Sequence, residues 1–91
     1  MIDIHIYSMK PTINFILGMD KVEDIKNQAG KLIPLYNNLL NITKDNTRLN
    51  SKTRVRIIGI VRLILKVLYQ ISTESNISIQ KLKLEKLKRL V

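Results

Sequence analysis

The chain has 91 residues, a formal net charge of +9 at pH 7 and no cysteine. That length holds one domain, and the missing thiols exclude disulfides, cysteine nucleophiles and cysteine-based metal sites. A domain this small buries only about 60% of the surface its unfolded chain exposes, so a dense core or a partner must supply stability.

Residues 1–8 alternate Ile2, Ile4 and Ile6 with Asp3, His5 and Tyr7. Period two predicts a strand or extended arm, and Met9 is a possible alternative start, so residues 1–10 read as an N-terminal arm. Nothing here has the apolar core of a signal peptide. Pro11 suits the first turn of a helix, which the pattern predicts over about 11–18, ending at Gly18. Asp20-Lys-Val-Glu23 reads as a capping box, with Glu23 and Asp24 at the positive end of the helix dipole. Val22, Ile25, Ala29, Leu32, Ile33, Tyr36, Leu39, Leu40 and Thr43 then follow three-four spacing and predict a helix over about 21–43. Gly30 and Pro34 interrupt it, and a kink is expected there, not two helices.

Asp45 to Ser51 reads as a polar loop, with Ser51 able to cap the next helix, about 52–73. That helix is apolar almost all round: Val55, Ile57, Ile58, Ile60, Val61, Leu63, Ile64, Leu65, Val67, Leu68 and Ile71. So wide an arc predicts a central helix packed on most faces. Lys52, Arg56, Gly59, Arg62, Lys66 and Gln70 gather on the remaining side. Arg62 and Lys66 also interrupt the apolar run, leaving it short of the roughly 20 residues a membrane span needs. After a turn at Thr73 to Asn76, where Ser75, Asn76 or Ser78 is placed to cap, a last helix is expected over about 78–90. Its apolar face is Ile79, Leu82, Leu87 and Leu90; its polar face is Lys81, Glu85, Lys88 and Arg89. Lys83 and Lys86 fall inside the apolar arc and must snorkel or meet a partner. Ile77 to Leu84 also alternates, which keeps a strand open as the competing reading.

The fold expected is therefore all-α: three main helices, a short helix before them and an extended N-terminal arm, with residues 11–91 as a single helical domain. A cytoplasmic location is expected, and the sequons at Asn41 and Asn76 then carry no chemistry.

Little in the chain suits catalysis, and no enzyme activity, cofactor or metal is expected. His5 is the sole histidine. Asp20, Glu23 and Asp24 are better explained by helix capping than by a divalent cation, since metal sites need more ligands and a supporting shell. Charge is the informative feature. Residues 1–50 carry six basic and five acidic side chains, whereas residues 51–91 carry ten basic and two acidic. The ten are Lys52, Arg54, Arg56, Arg62, Lys66, Lys81, Lys83, Lys86, Lys88 and Arg89, and together they predict a polyanion-binding surface. Lys52, Arg54 and Arg56 stand at a helix start, where the dipole opposes cations and a bound phosphate would offset that cost. Base-reading residues on an inserted helix and interleaved aromatics for stacking do not accompany the charge. The contacts expected are thus to phosphate and indifferent to base sequence. A membrane surface fits poorly, because the last helix has no Trp or Phe on its apolar face.

Residues 54–90 resemble the opening of a winged helix-turn-helix domain. A long apolar helix ends in Leu68-Tyr-Gln-Ile-Ser72, and Ile77-Ser-Ile-Gln-Lys-Leu82 stands where such domains start their second helix; the third, DNA-reading helix and the wing would lie beyond Val91. In size, charge and helicity the chain is also similar to the small basic subunits of archaeal family-B replicative DNA polymerases. That resemblance implies a helical subunit that adjusts the enzyme's grip on DNA. The expected function is a non-enzymatic accessory protein on nucleic acid or within a complex that handles it. The competing expectation is a protein-interaction subunit whose basic face meets an acidic partner without touching nucleic acid.

Overall fold

The computed structural model describes residues 9–91, which form four helices: α1 (Met9–Leu17), α2 (Val22–Asp45), α3 (Ser51–Thr73) and α4 (Ile77–Leu90). No strand occurs among the described residues, so the alternation over Ile77–Leu84 is helical. The arm expected over residues 1–8 lies outside the described residues. Met9 and Lys10, assigned to that arm by pattern, instead belong to α1, and Met9 is buried in the core. Pro11 allows this earlier start because a proline within the first turn replaces an amide that has no helical partner anyway.

Two long antiparallel helices, α2 and α3, build the frame. A five-residue connection, too short for a crossover, joins them into a hairpin. The stripe read along α2 is the buried one: Ile25, Ala29, Tyr36, Leu39 and Thr43 are buried, and Leu32, Ile33 and Leu40 pack against the core. Thr43 is tolerated inside because its Oγ1 donates to the Leu39 carbonyl at 2.8 Å, which removes the cost of an unsatisfied hydroxyl. α2 runs through Pro34 as one helix. Gly30 and Pro34 are both exposed, so the bond that proline removes is lost on the solvent side, where water replaces it.

The helix starts are decided by asparagines. Asn50 begins α3, its side chain accepting from the Thr53 amide at 2.8 Å; Ser51, the cap suggested by pattern, is the first helical residue. Asn76 begins α4 by accepting from the Ser78 and Ile79 amides. Both residues satisfy amides that a helix start leaves without partners. The capping box at Asp20 does not form. α2 starts at Val22 after an extended Lys21, with no side-chain cap, so Asp20 stands one position too early to act as one.

α1 and α4 pack together at the end of the hairpin where α2 begins and α3 finishes, closing the core around Ile13, Ile16, Ile25, Leu68, Ile71, Leu84 and Leu87. The molecule is elongated as a result, with principal extents of 42 × 18 × 15 Å. α1 also reaches along α2, its Thr12 lining a groove with Leu39 and Ile42. Among the described residues α3 is not covered on most faces, contrary to expectation: Val55 and Leu63 are 67% and 49% exposed.

Candidate functional site

Gln80 organises the closed end. It is fully buried on α4, and its Nε2 donates toward the carbonyls of Val22 (3.2 Å), Glu74 (3.1 Å) and, more weakly, Ile71 (3.5 Å). One amide thus ties the start of α2 to the end of α3 and to α4. Its Oε1 has no partner among the described residues.

This clamp also sets the rotation of α4. Its inward face is Ile77, Gln80, Leu84 and Leu87, with Val91 following at its end; of the expected Ile79, Leu82, Leu87 and Leu90 only Leu87 is buried. The observed set keeps unbroken three-four spacing, whereas the expected one steps by five between Leu82 and Leu87. The observed set requires a glutamine inside, which the three carbonyls make acceptable. Ile79, Leu82 and Leu90 consequently face outward, Leu82 being 71% exposed. Lys83 and Lys86 escape the buried arc. Lys86 is exposed, and Lys83 donates from Nζ to Gln70 Oε1 on α3 at 3.1 Å.

The ten basic residues divide into three groups. On α3, Lys52, Arg56, Arg62 and Lys66 are all exposed on the side away from the core, with Gly59 and Gln70. No ion pair reaches these four among the described residues. On α4, Lys86 and Arg89 are exposed, while Lys83 and Lys88 are half-buried. The remaining two have structural work. Lys81 approaches Asp20 at 3.9 Å, an exposed pair that contributes little. Arg54 is half-buried and its Nη1 donates to the Asn46 carbonyl at 3.3 Å, at the C-terminus of α2.

The Arg54 contact changes the electrostatics read from the sequence. The start of α3 lies beside the end of α2, whose carbonyls carry partial negative charge. A cation at the start of α3 is therefore met by its neighbour helix and needs no bound phosphate to explain it. The signal missing from the sequence was the antiparallel partner.

Glu23 and Asp24 occupy the first turn of α2, and Glu23 pairs with Lys26 at 3.7 Å. Among the described residues no three acidic or histidine side chains converge to hold a metal ion, and no helix is long and apolar enough to cross a membrane. His5 lies outside the described residues. Burial raises the Tyr36 phenol above its ordinary pKa, away from the range where it would serve as an acid or base near neutrality.

The arrangement thus offers charge and contact surface. α3 carries four cations along one exposed side, and the Lys83–Gln70 bond joins that side to α4. No protein-family model matches the chain, and comparisons with curated proteins and with solved structures return no match.

Proposed function

We propose that the protein is a non-enzymatic accessory factor that acts on nucleic acid, or inside a complex that handles it such as a replicative DNA polymerase, through sequence-independent phosphate contacts. The observation that carries this reading is the exposed side of α3, where Lys52, Arg56, Arg62 and Lys66 stand without acidic partners among the described residues. Exposed cations with no internal partner keep their full attraction for an external polyanion. Lys83, Lys86, Lys88 and Arg89 extend the positive field onto α4, and Lys81 and Arg54 add to it from their structural contacts.

The test is titration of fluorescent duplex DNA with the isolated protein at several salt concentrations. Binding is expected to weaken steeply as salt rises, because each neutralised phosphate releases counterions. The triple variant Arg56→Glu, Arg62→Glu, Lys66→Glu is expected to keep its helical circular-dichroism spectrum and lose binding. Absence of binding at about 50 mM salt, or wild-type affinity in the folded triple variant, would refute the reading.

A second reading is favoured by a different observation. Ile79, Leu82 and Leu90 are exposed on α4 beside Lys83 and Lys86, a mixture that suits an acidic partner protein with apolar contacts of its own. On this reading, affinity capture from native extract returns one stoichiometric protein that nuclease treatment does not remove.

A further inference from the structure

Resting on the nucleic-acid reading above, we infer that the ligand class is double-stranded and that α3 engages it as a rigid ridge about eight base pairs long. Lys52 and Lys66 are fourteen positions apart on one uninterrupted helix, a rise of about 21 Å. Lys83 Nζ on Gln70 Oε1 carries the positive side past Lys66 onto α4, and Lys86 lies one turn on as α4 runs back alongside α3. From Lys52 to Gln70 the ridge spans about 27 Å, the length of about eight base pairs at 3.4 Å each.

Three features select a duplex over a single strand. The ridge is convex, whereas proteins that hold single strands run them through a positively charged groove lined with aromatic rings. Neither groove among the described residues combines the two: the one on α2 lined by Leu32, Leu35, Tyr36, Leu39 and Ile42 holds no cation, and the one beside Ser72 holds Lys26 and Lys31 with Glu23 but no aromatic ring. Aromatics are also misplaced for stacking. Tyr69 alone accompanies the cations of α3, while Phe15 is on α1 and Tyr36 is buried. Finally, a duplex is stiff over about 50 nm and carries one charge per 1.7 Å of axis. It lies along a 27 Å ridge without the ordering entropy that straightening a single strand would cost.

The same face accounts for indifference to sequence. Between the cations stand Val55, Gly59 and Leu63, which read no base edge, and Gln70 at the end of the ridge has its Oε1 engaged by Lys83 Nζ. The ridge holds the sugar-phosphate exterior and reads nothing from the grooves.

The experiment is fluorescence anisotropy with a 20-base-pair duplex, each of its strands alone, and a duplex of scrambled sequence, at matched salt between about 50 and 200 mM. The two duplexes are expected to bind equally and about tenfold more tightly than either strand, with a log–log salt slope of about −4 to −5 from the four to six cations of the ridge. Arg62→Ala with Lys66→Ala should flatten that slope by about 2 while the circular-dichroism spectrum stays unchanged. A single strand binding as tightly as the duplex overturns the duplex assignment and leaves the nucleic-acid reading standing. An unchanged slope in the double variant shows that the ridge is the wrong surface. No binding to any of the four probes overturns the nucleic-acid reading itself.

Discussion

Gln80 and Arg54 show how single side chains acquire meaning from distant backbone. The Gln80 amide sits fully buried among carbonyls of Val22, Ile71 and Glu74, and Val22 is 58 positions away in the chain. The clamp works only with a donor, since three carbonyls converge on it. Gln80→Glu places a carboxylate against them, and a buried unpaired charge facing acceptors costs several kcal/mol. The variant is expected to lose about 3 kcal/mol or more in urea denaturation at pH 7. Burial and the carbonyls raise the pKa of the introduced carboxyl above its unfolded value of about 4.3. The protonated form is the one the fold accepts, so the deficit relative to wild type should shrink as pH falls toward 4 and grow as pH rises. Gln80→Leu should cost less, because it also removes the partnerless Oε1. Equal losses for the two variants would mean that a carboxylate facing those carbonyls costs no more than the loss of the donor.

At the level of elements, all three main helices were legible in extent, but the inward face of α4 was not. α2 carries more than five turns of apolar repeat, so one rotation satisfies the pattern far better than any other, and in α3 the row of cations marks the outer side. α4 has 14 residues, and its purely apolar stripe differs from the buried one, which passes through Gln80. Periodicity alone ranks Leu82 as core, and the clamp at Gln80 turns it to solvent. Gly59 offers a test of how open the outer side of α3 is. It lies inside the helix, and a methyl group placed there meets nothing within 4 Å. Gly59→Ala should therefore stabilise the protein by about 1 kcal/mol, the propensity difference in an exposed helix interior. A shift of the urea midpoint upward at unchanged slope is the expected result. Destabilisation would show that another molecule covers this face in solution.

The whole molecule is a long positive rod. Two ion pairs, both with an exposed carboxylate, join its described residues, against a net charge of +9 over the full chain. Its 42 Å length exceeds the screening length at about 0.01 M salt, which is ~30 Å, and far exceeds the ~8 Å at 0.15 M. Repulsion among the cations thus acts across most of the molecule in dilute buffer and only locally at physiological strength. Raising sodium chloride from about 10 to 150 mM is expected to raise the thermal midpoint, although the same change weakens polyanion binding. A midpoint that falls with salt would mean that attractive pairs outweigh the repulsion.

The sequence by itself determined that the described chain is helical, where its three long segments run, which side of α2 faces the core, and that cations gather on the outer side of α3. These are consequences of local spacing, which the 3.6-residue repeat converts directly into faces. Only the tertiary structure decided which way α4 is turned and that Arg54 closes the hairpin while Lys52, Arg56, Arg62 and Lys66 remain exposed. Each of those depends on a backbone group brought close by folding, such as the Asn46 carbonyl beside Arg54 or the Val22 carbonyl beside Gln80. No repeat within a helix encodes such a neighbour. The total charge was readable from the residues alone, but which cations stay available to a partner was settled by which of them the fold uses for itself.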